Sequence, residues 1–112
     1  MPALPAPAPT PPDVARHLPA LRTALLEQRR FRTDQLAQLR AEVPGDEAHA
    51  EVVATLRRAA GVALADIDAA LERMHAGRYG RCVNCEATIP LERLEILPYV
   101  ALCMTCHRPQ PA

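Results

Sequence analysis

The sequence has no tryptophan, no lysine, a single phenylalanine and two tyrosines. With so few rings it cannot build a thick mixed core. Its apolar content is largely Ala and Leu, which suits thin helix-on-helix packing or a small module stabilised by a metal. No stretch approaches the roughly 18 consecutive apolar residues of a membrane span, and no basic start leads into an apolar run of signal-peptide length. The expectation is a cytoplasmic protein with no membrane contact. An excess of one charge is also lacking: 13 Lys+Arg against 13 Asp+Glu give a formal net charge of zero. A general nucleic-acid binder needs a clear basic excess, so direct sequence-specific DNA binding is not expected. No Ser/His/Asp set stands out, which leaves catalysis without a foothold and predicts a non-enzyme.

What is abundant is proline, and it is unevenly placed: six of the chain's 12 prolines fall within the first 12 residues. Such a stretch has few donors and few core side chains, so residues 1–12 read as a disordered or polyproline-like tail. Residues 109–112 read as a second short disordered end. Between them, residues 13–76 read as a helical hairpin and residues 77–108 as a small cysteine-bearing module, one domain at most for 112 residues.

The first helix is expected to start near Pro19, because proline is tolerated in a first turn and not further in. It carries Leu21, Leu25, Leu36 and Leu39, with Leu26 and Phe31 on its flanks and a polar centre from Gln28 to Gln35. Pro44-Gly45 marks a turn. Asp46 then stands in a good N-cap position, and Glu47 puts negative charge in the first turn. In the second helix Val52, Leu56, Ala59, Ala63, Ile67, Leu71 and Met74 recur at steps of three or four, an amphipathic stripe. Gly77 is a natural stop. Charge supports the pairing. Residues 13–41 hold six Arg and three acids, and residues 42–76 hold three Arg and seven acids, so the segments are +3 and −4 and attract. The fold class expected is mainly α: an antiparallel, coiled-coil-like helical hairpin followed by a four-cysteine zinc finger.

The cysteines carry the strongest signal. Cys82-x2-Cys85 and Cys103-x2-Cys106, with seventeen residues between the pairs, match the two-knuckle zinc pattern. Each pair can turn two sulfurs onto one ion, and two pairs close a tetrahedron with no open position. One structural Zn2+ per chain is therefore the cofactor expected, with Arg81, Arg108 and backbone N–H groups available to offset the charge of four thiolates. The alternatives are His107 as a substitute ligand, and redox chemistry, for which one Cys-x-x-Cys pair would suffice. His17, His49 and His75 read as solvated surface positions.

These residues resemble the DksA/TraR family of bacterial transcription factors. Gly77-Arg78-Tyr79-Gly80-Arg81-Cys82 is similar to the family's approach to its finger. Cys85, Ile89, Arg93, Pro98, Cys103 and Cys106 follow at the family's spacings, and Asp68 to Met74 resembles the end of its long helix. The resemblance is close from Ala63 to His107 and holds in general plan for the hairpin. It implies a finger packed at the base of a coiled coil, and RNA polymerase as partner, with the coiled coil entering the secondary channel and acidic tip residues acting near the catalytic magnesium. The family's Asp-x-x-Asp-x-Ala tip is missing here; Glu42, Asp46 and Glu47 are what the tip offers, with Asp46 and Glu47 as candidate contacts. Some members also bind guanosine tetraphosphate through basic residues at positions occupied here by Asp66, Leu97 and His107. None of these is Lys or Arg, so binding of that nucleotide is doubtful. Glu86 stands where glycine is usual, and strains the first knuckle if that position takes a positive φ. From packing alone, Ile89 and Leu94 are small-core residues beside the metal, Tyr79 packs between helix and finger, Pro98 sets a turn, and Arg93 pairs with Glu72 or Glu95 or is solvated.

The reading is thus a zinc-binding accessory regulator of transcription that reaches RNA polymerase with its hairpin. The main rival is a structural or interaction protein that keeps the fold and binds another protein through its helices. A DNA-binding zinc module is a further rival, supported by Arg29, Arg30 and Arg32 on the first helix and opposed by the neutral charge.

Overall fold

In the computed structural model, which describes residues 6–108, four helices follow one another: α1 (Pro12–Ala41), α2 (Glu47–His75), α3 (Leu91–Ile96) and α4 (Met104–His107). Extended pairing among the described residues amounts to one isolated antiparallel bridge, Arg81 with Thr88. The protein is mainly α, as expected: α1 and α2 pack together as an antiparallel hairpin, and the cysteine-bearing segment sits at its base.

Helix α1 starts at Pro12, not near Pro19. Pro12 fits a first turn, where its missing N–H is no loss. Pro19 lies inside the helix, where it has no N–H for the Ala15 carbonyl and costs roughly 3 kcal/mol or more. Burial offsets that cost. Val14, Leu21 and Leu25 are fully or almost fully buried, and Leu18 packs against them. Spaced four, three and four apart, these residues form one helical stripe across the proline, and each fully buried aliphatic side chain contributes roughly 1.5–3 kcal/mol. Pro19 itself lies on the exposed side.

The inner face of α2 is also rotated from the expected stripe. Val53, Ala60, Ile67 and Ala70 are buried, whereas Val52 and Leu56 are 56% and 43% exposed. The tip half follows the seven-residue step 53, 60, 67. Arg57 lies on that inner side, half-buried, and its guanidinium gives two hydrogen bonds to the Leu39 carbonyl at 2.9 and 2.7 Å. Those bonds add to the 3.3 Å one that the Glu42 amide gives the same carbonyl at the end of α1. The middle of the hairpin is polar, as the Gln28 to Gln35 stretch implies. Its inter-helix tie is Arg29 to Asp68 at 2.7 Å, with both side chains about half exposed. Such a pair is worth ~0–1 kcal/mol.

The core therefore lies at the base. Val14, Leu21 and Leu25 from α1 and Ile67 and Ala70 from α2 meet Tyr79, Ile89 and Leu94 from the cysteine-bearing segment. Tyr79 is fully buried and gives its hydroxyl proton to the Pro98 carbonyl at 2.7 Å.

Residues 6–11, expected to be part of a disordered tail, instead form a strap along this base; residues 1–5 and 109–112, the remainder of the two expected disordered ends, lie outside the described residues. The Thr10 amide donates to the Gly77 carbonyl at 2.9 Å, Arg81 Nε donates to the Pro9 carbonyl at 2.9 Å, and Pro11 is buried. Composition alone hides this, because proline-rich backbone has the right shape to lie extended on a surface and needs few donors to do so. Gly80 permits the contact. Its φ is +91°, and a Cβ there would come within 3.1 Å of Pro11 Cδ and 3.2 Å of Val14 Cγ1. Gly80→Ala is expected to destabilise the fold by roughly 1–3 kcal/mol and to free the strap. A thermal melt checks the first effect, and faster hydrogen exchange at the Thr10 amide checks the second.

Candidate metal centre and hairpin tip

The first knuckle is a tight turn from Cys82 to Cys85, in which the Glu86 amide donates to the Cys82 carbonyl and the Cys82 amide to the Ala87 carbonyl. Glu86 closes it at φ +64°. That is the left-handed region, where a side chain is strained and glycine is at ease. The second knuckle leads into α4, whose first turn points the Cys106 side chain back toward Cys103. The Val83 amide, donating to the Ala101 carbonyl at 2.9 Å, ties the two knuckles together.

This brings all four sulfurs within 4.8 Å of one another. Cys85 and Cys103 Sγ lie 3.6 Å apart, far beyond a bonded S–S pair at about 2.05 Å, and none of the four cysteines is paired covalently. Zinc–sulfur bonds of about 2.3 Å in a tetrahedron imply sulfur–sulfur edges of about 3.8 Å, so the cluster fits a zinc ion. Its electrostatics ask for one. Burial opposes ionisation of Cys82, but N–H groups of Cys103, Cys85 and Asn84 outweigh it and bring the thiol down to about 6. At Cys85 the Ala87 amide favours the thiolate, yet the other three sulfurs prevail and push the thiol up to about 12. Cys103 is lowered as well, chiefly by the Cys106 N–H, so the block from charge already present falls on Cys85. A dication relieves that block.

Of the groups expected to offset the thiolate charge, the backbone N–H groups do so at Cys82 and Cys103, and neither Arg81 nor Arg108 bonds a sulfur among the described residues. Arg81 gives two hydrogen bonds, to the Pro9 carbonyl and to Thr88 Oγ1 at 3.1 Å, and none to a sulfur. The polar side chain on a sulfur is Asn84, whose amide nitrogen lies 3.4 Å from Cys106 Sγ. Sequence reading missed Asn84, although an amide between the cysteines of a knuckle was the available signal. His107 is exposed and outside the sulfur cluster. Arg93 makes no pair with Glu72 or Glu95; its Nε is buried without a hydrogen-bond partner among the described residues.

At the other end of the hairpin, Asp46 caps α2, its Oδ1 accepting from the His49 amide at 2.7 Å. His49 belongs to this tip and is not simply solvated. The Gly45 amide donates to its Nδ1 at 3.2 Å, so Nε2 carries the proton and faces Glu42 Oε1 at 3.2 Å. Glu42, Asp46 and Glu47 are all exposed. Asp66 and Leu97, two of the nucleotide-related positions, line one groove on the side of the hairpin; His107 is not among its lining residues. The groove has a volume of about 810 Å³ and presents Phe31, Val62 and Ile96, which are 65%, 61% and 75% exposed.

The metal site makes a direct prediction. Cys103→Ser should lose the zinc that the wild type holds at one per chain. The amides of residues 77–107 should lose exchange protection, because zinc binding supplies about 10–16 kcal/mol in such modules. Metal analysis and exchange on the same sample check it, and full zinc occupancy in the variant would refute a four-thiolate site.

None of the described helices is long and apolar enough to cross a membrane. Comparison with curated proteins finds no match. The family model described as the prokaryotic dksA/traR C4-type zinc finger matches residues 77–111. Among solved structures, the transcription factor DksA2 from Pseudomonas aeruginosa is similar, with 32% identity and a TM-score of 0.56 over 77% of this chain and 76% of that one. With the finger matched by sequence and the hairpin and finger together matched by structure, the chain belongs to the DksA/TraR family of zinc-finger transcription regulators.

Proposed function

We propose that this protein is an accessory factor of RNA polymerase that inserts its helical hairpin into the enzyme's secondary channel, with zinc on Cys82, Cys85, Cys103 and Cys106 as a rigid foot. The observation that carries this reading is the tip: Glu42, Asp46 and Glu47 stand exposed at the end of a 29-residue helix, about 44 Å long at 1.5 Å per residue. A channel leading to bound magnesium suits such a probe. The tip is not the family's Asp-x-x-Asp-x-Ala, so any action rests on Asp46 and Glu47 in a different arrangement, with Asp46 also serving as a cap. A second reading, binding of another protein through the helices, is favoured by the apolar groove at Phe31, Val62 and Ile96.

Asp46→Asn with Glu47→Gln separates the two duties of the tip. Asn remains a good N-cap, so the melting curve should reflect a loss below about 1 kcal/mol. The effect on transcription initiation by the host polymerase should disappear. Full retention of that effect would leave the tip acids as caps only. A wild type without effect would turn the reading to the interaction protein.

Guanosine tetraphosphate is not a ligand of the Asp66–Leu97 face in this reading. A tetraphosphate there meets a carboxylate and an apolar side chain, and His107 lies outside the groove. Titration of the protein–polymerase complex should show no binding that depends on this face. Tight binding abolished by His107→Ala or Leu97→Glu would overturn the assignment.

A further inference from the structure

At the finger's base is a second concavity, of about 290 Å³, which shares no lining residue with the Asp66–Leu97 groove and is at the small end of the roughly 300–1,000 Å³ typical of small-molecule sites. Arg73 from the last turn of α2, Arg78 from the link and Arg81 before the first knuckle all line it. The strap forms one side through Pro7 and Ala8, and Glu86 is the carboxylate that faces it. None of the three arginines has a carboxylate within 4.0 Å among the described residues, where the cation–carboxylate pairs are Arg29–Asp68 and His49–Glu42.

The guanidinium donors are largely unspent. Each group has five N–H donors. Arg81 uses its Nε on Pro9 and one Nη on Thr88, Arg73 makes one long bond of 3.5 Å to the Tyr99 carbonyl, and the Arg78 side chain makes none among the described residues. Burial lowers the Arg73 pKa, and Tyr79 and Asp66 offset that only in part. Three arginines face Glu86 across the cavity, and Cys82, a sulfur of the metal centre, lines it too, so part of the arginine charge is set against the thiolates and the unspent N–H donors are what remain for a ligand. Arginine forks match the oxygens of phosphate groups and hold them by paired, charge-assisted bonds.

We propose that the pocket formed by Arg73, Arg78, Arg81 and the strap is a binding site for a phosphate or diphosphate group, separate from both the polymerase-directed tip and the Asp66–Leu97 groove. The strap supplies a wall and the Arg81–Pro9 bond, so an occupying anion draws three arginines together and tightens residues 7–10 over the base. The phosphate can be free or carried by a nucleotide, since the pocket has room for the charged end alone.

The test uses the full-length, zinc-loaded protein without polymerase, titrated calorimetrically with inorganic pyrophosphate, and in parallel with guanosine diphosphate and guanosine. Expected are one saturable site per chain for pyrophosphate, weaker binding at higher salt, none for guanosine, and slower hydrogen exchange at the Thr10 amide on saturation. Equal affinity for pyrophosphate and guanosine diphosphate assigns the site to a free anion; tighter diphosphate binding by the nucleotide assigns it to a nucleotide end. Arg78→Gln, whose side chain holds no structural bond, should weaken binding about tenfold or more, the equivalent of ~1.4 kcal/mol. Arg22→Gln, away from the pocket, should not. Absence of saturable binding, or binding unchanged in Arg73→Gln and Arg78→Gln, would overturn the proposal. Loss of zinc from both variants would overturn it too, by assigning the arginines to balancing the four thiolates.

Discussion

Four sulfurs within 4.8 Å of one another cannot all carry charge unless a cation sits among them. The depressed Cys82 and Cys103 and the raised Cys85 are two sides of that constraint: backbone N–H groups favour the first thiolates, and Cys85 waits for metal. Much else in the structure depends on meeting it. With the knuckles joined, the Val83–Ala101 bond fixes the loop between them, and Ile89, Leu94 and Tyr79 are held where they can enter the hairpin's base. The base core is therefore not the property of the helices alone. Three of its eight buried members come from the segment that the metal organises.

Stability is correspondingly uneven. Near the finger, large aliphatic side chains, a buried tyrosine and the strap pack around one another. Toward the tip the buried residues are Val53 and Ala60, and the ties are polar: Arg57 on the Leu39 carbonyl, Asp46 on its own helix, His49 against Glu42. Exposed polar ties contribute little each, so the tip half is the part expected to open first. A metal-braced foot sets the direction of the hairpin, while the tip can adjust with little loss.

How much of this the sequence shows depends on whether a feature is local. Cysteine spacing, the Pro44-Gly45 turn and the Asp46 cap are written within a few residues, and the hairpin and finger follow from them. Features set by distant partners are harder to see. Pro19 reads as a helix start because the gain from burying Val14 and Leu18 depends on a finger some sixty residues further on. The strap reads as a tail because its partners are Gly77, Gly80 and Arg81. On α2, Val52 and Val53 are interchangeable by propensity, and only the partner helix decides that Val53 turns inward. Glu86 lies between the two cases: the departure from glycine is visible in the chain, and its meaning appears only with φ at +64°.

The same division explains why the family's fold and its ligand chemistry can part company. Fold is set by the sulfurs, by Tyr79 and by apolar side chains whose contacts close on one another, so replacing one of these residues disturbs many. Tip acids and groove charges point into solvent and close on nothing within the chain. Asp66 and Leu97 sit on the α2–α3 groove without disturbing Ile67 or Leu94 beside them. A different tip on Asp46 and Glu47 still caps its helix. Such positions can change their chemistry without cost to the scaffold. In this chain the groove joins Phe31, Val62 and Ile96 to Glu27 and Asp66, while Arg73, Arg78 and Arg81 line a different concavity at the base. A base braced by metal can carry different chemistry on either face without change to its core.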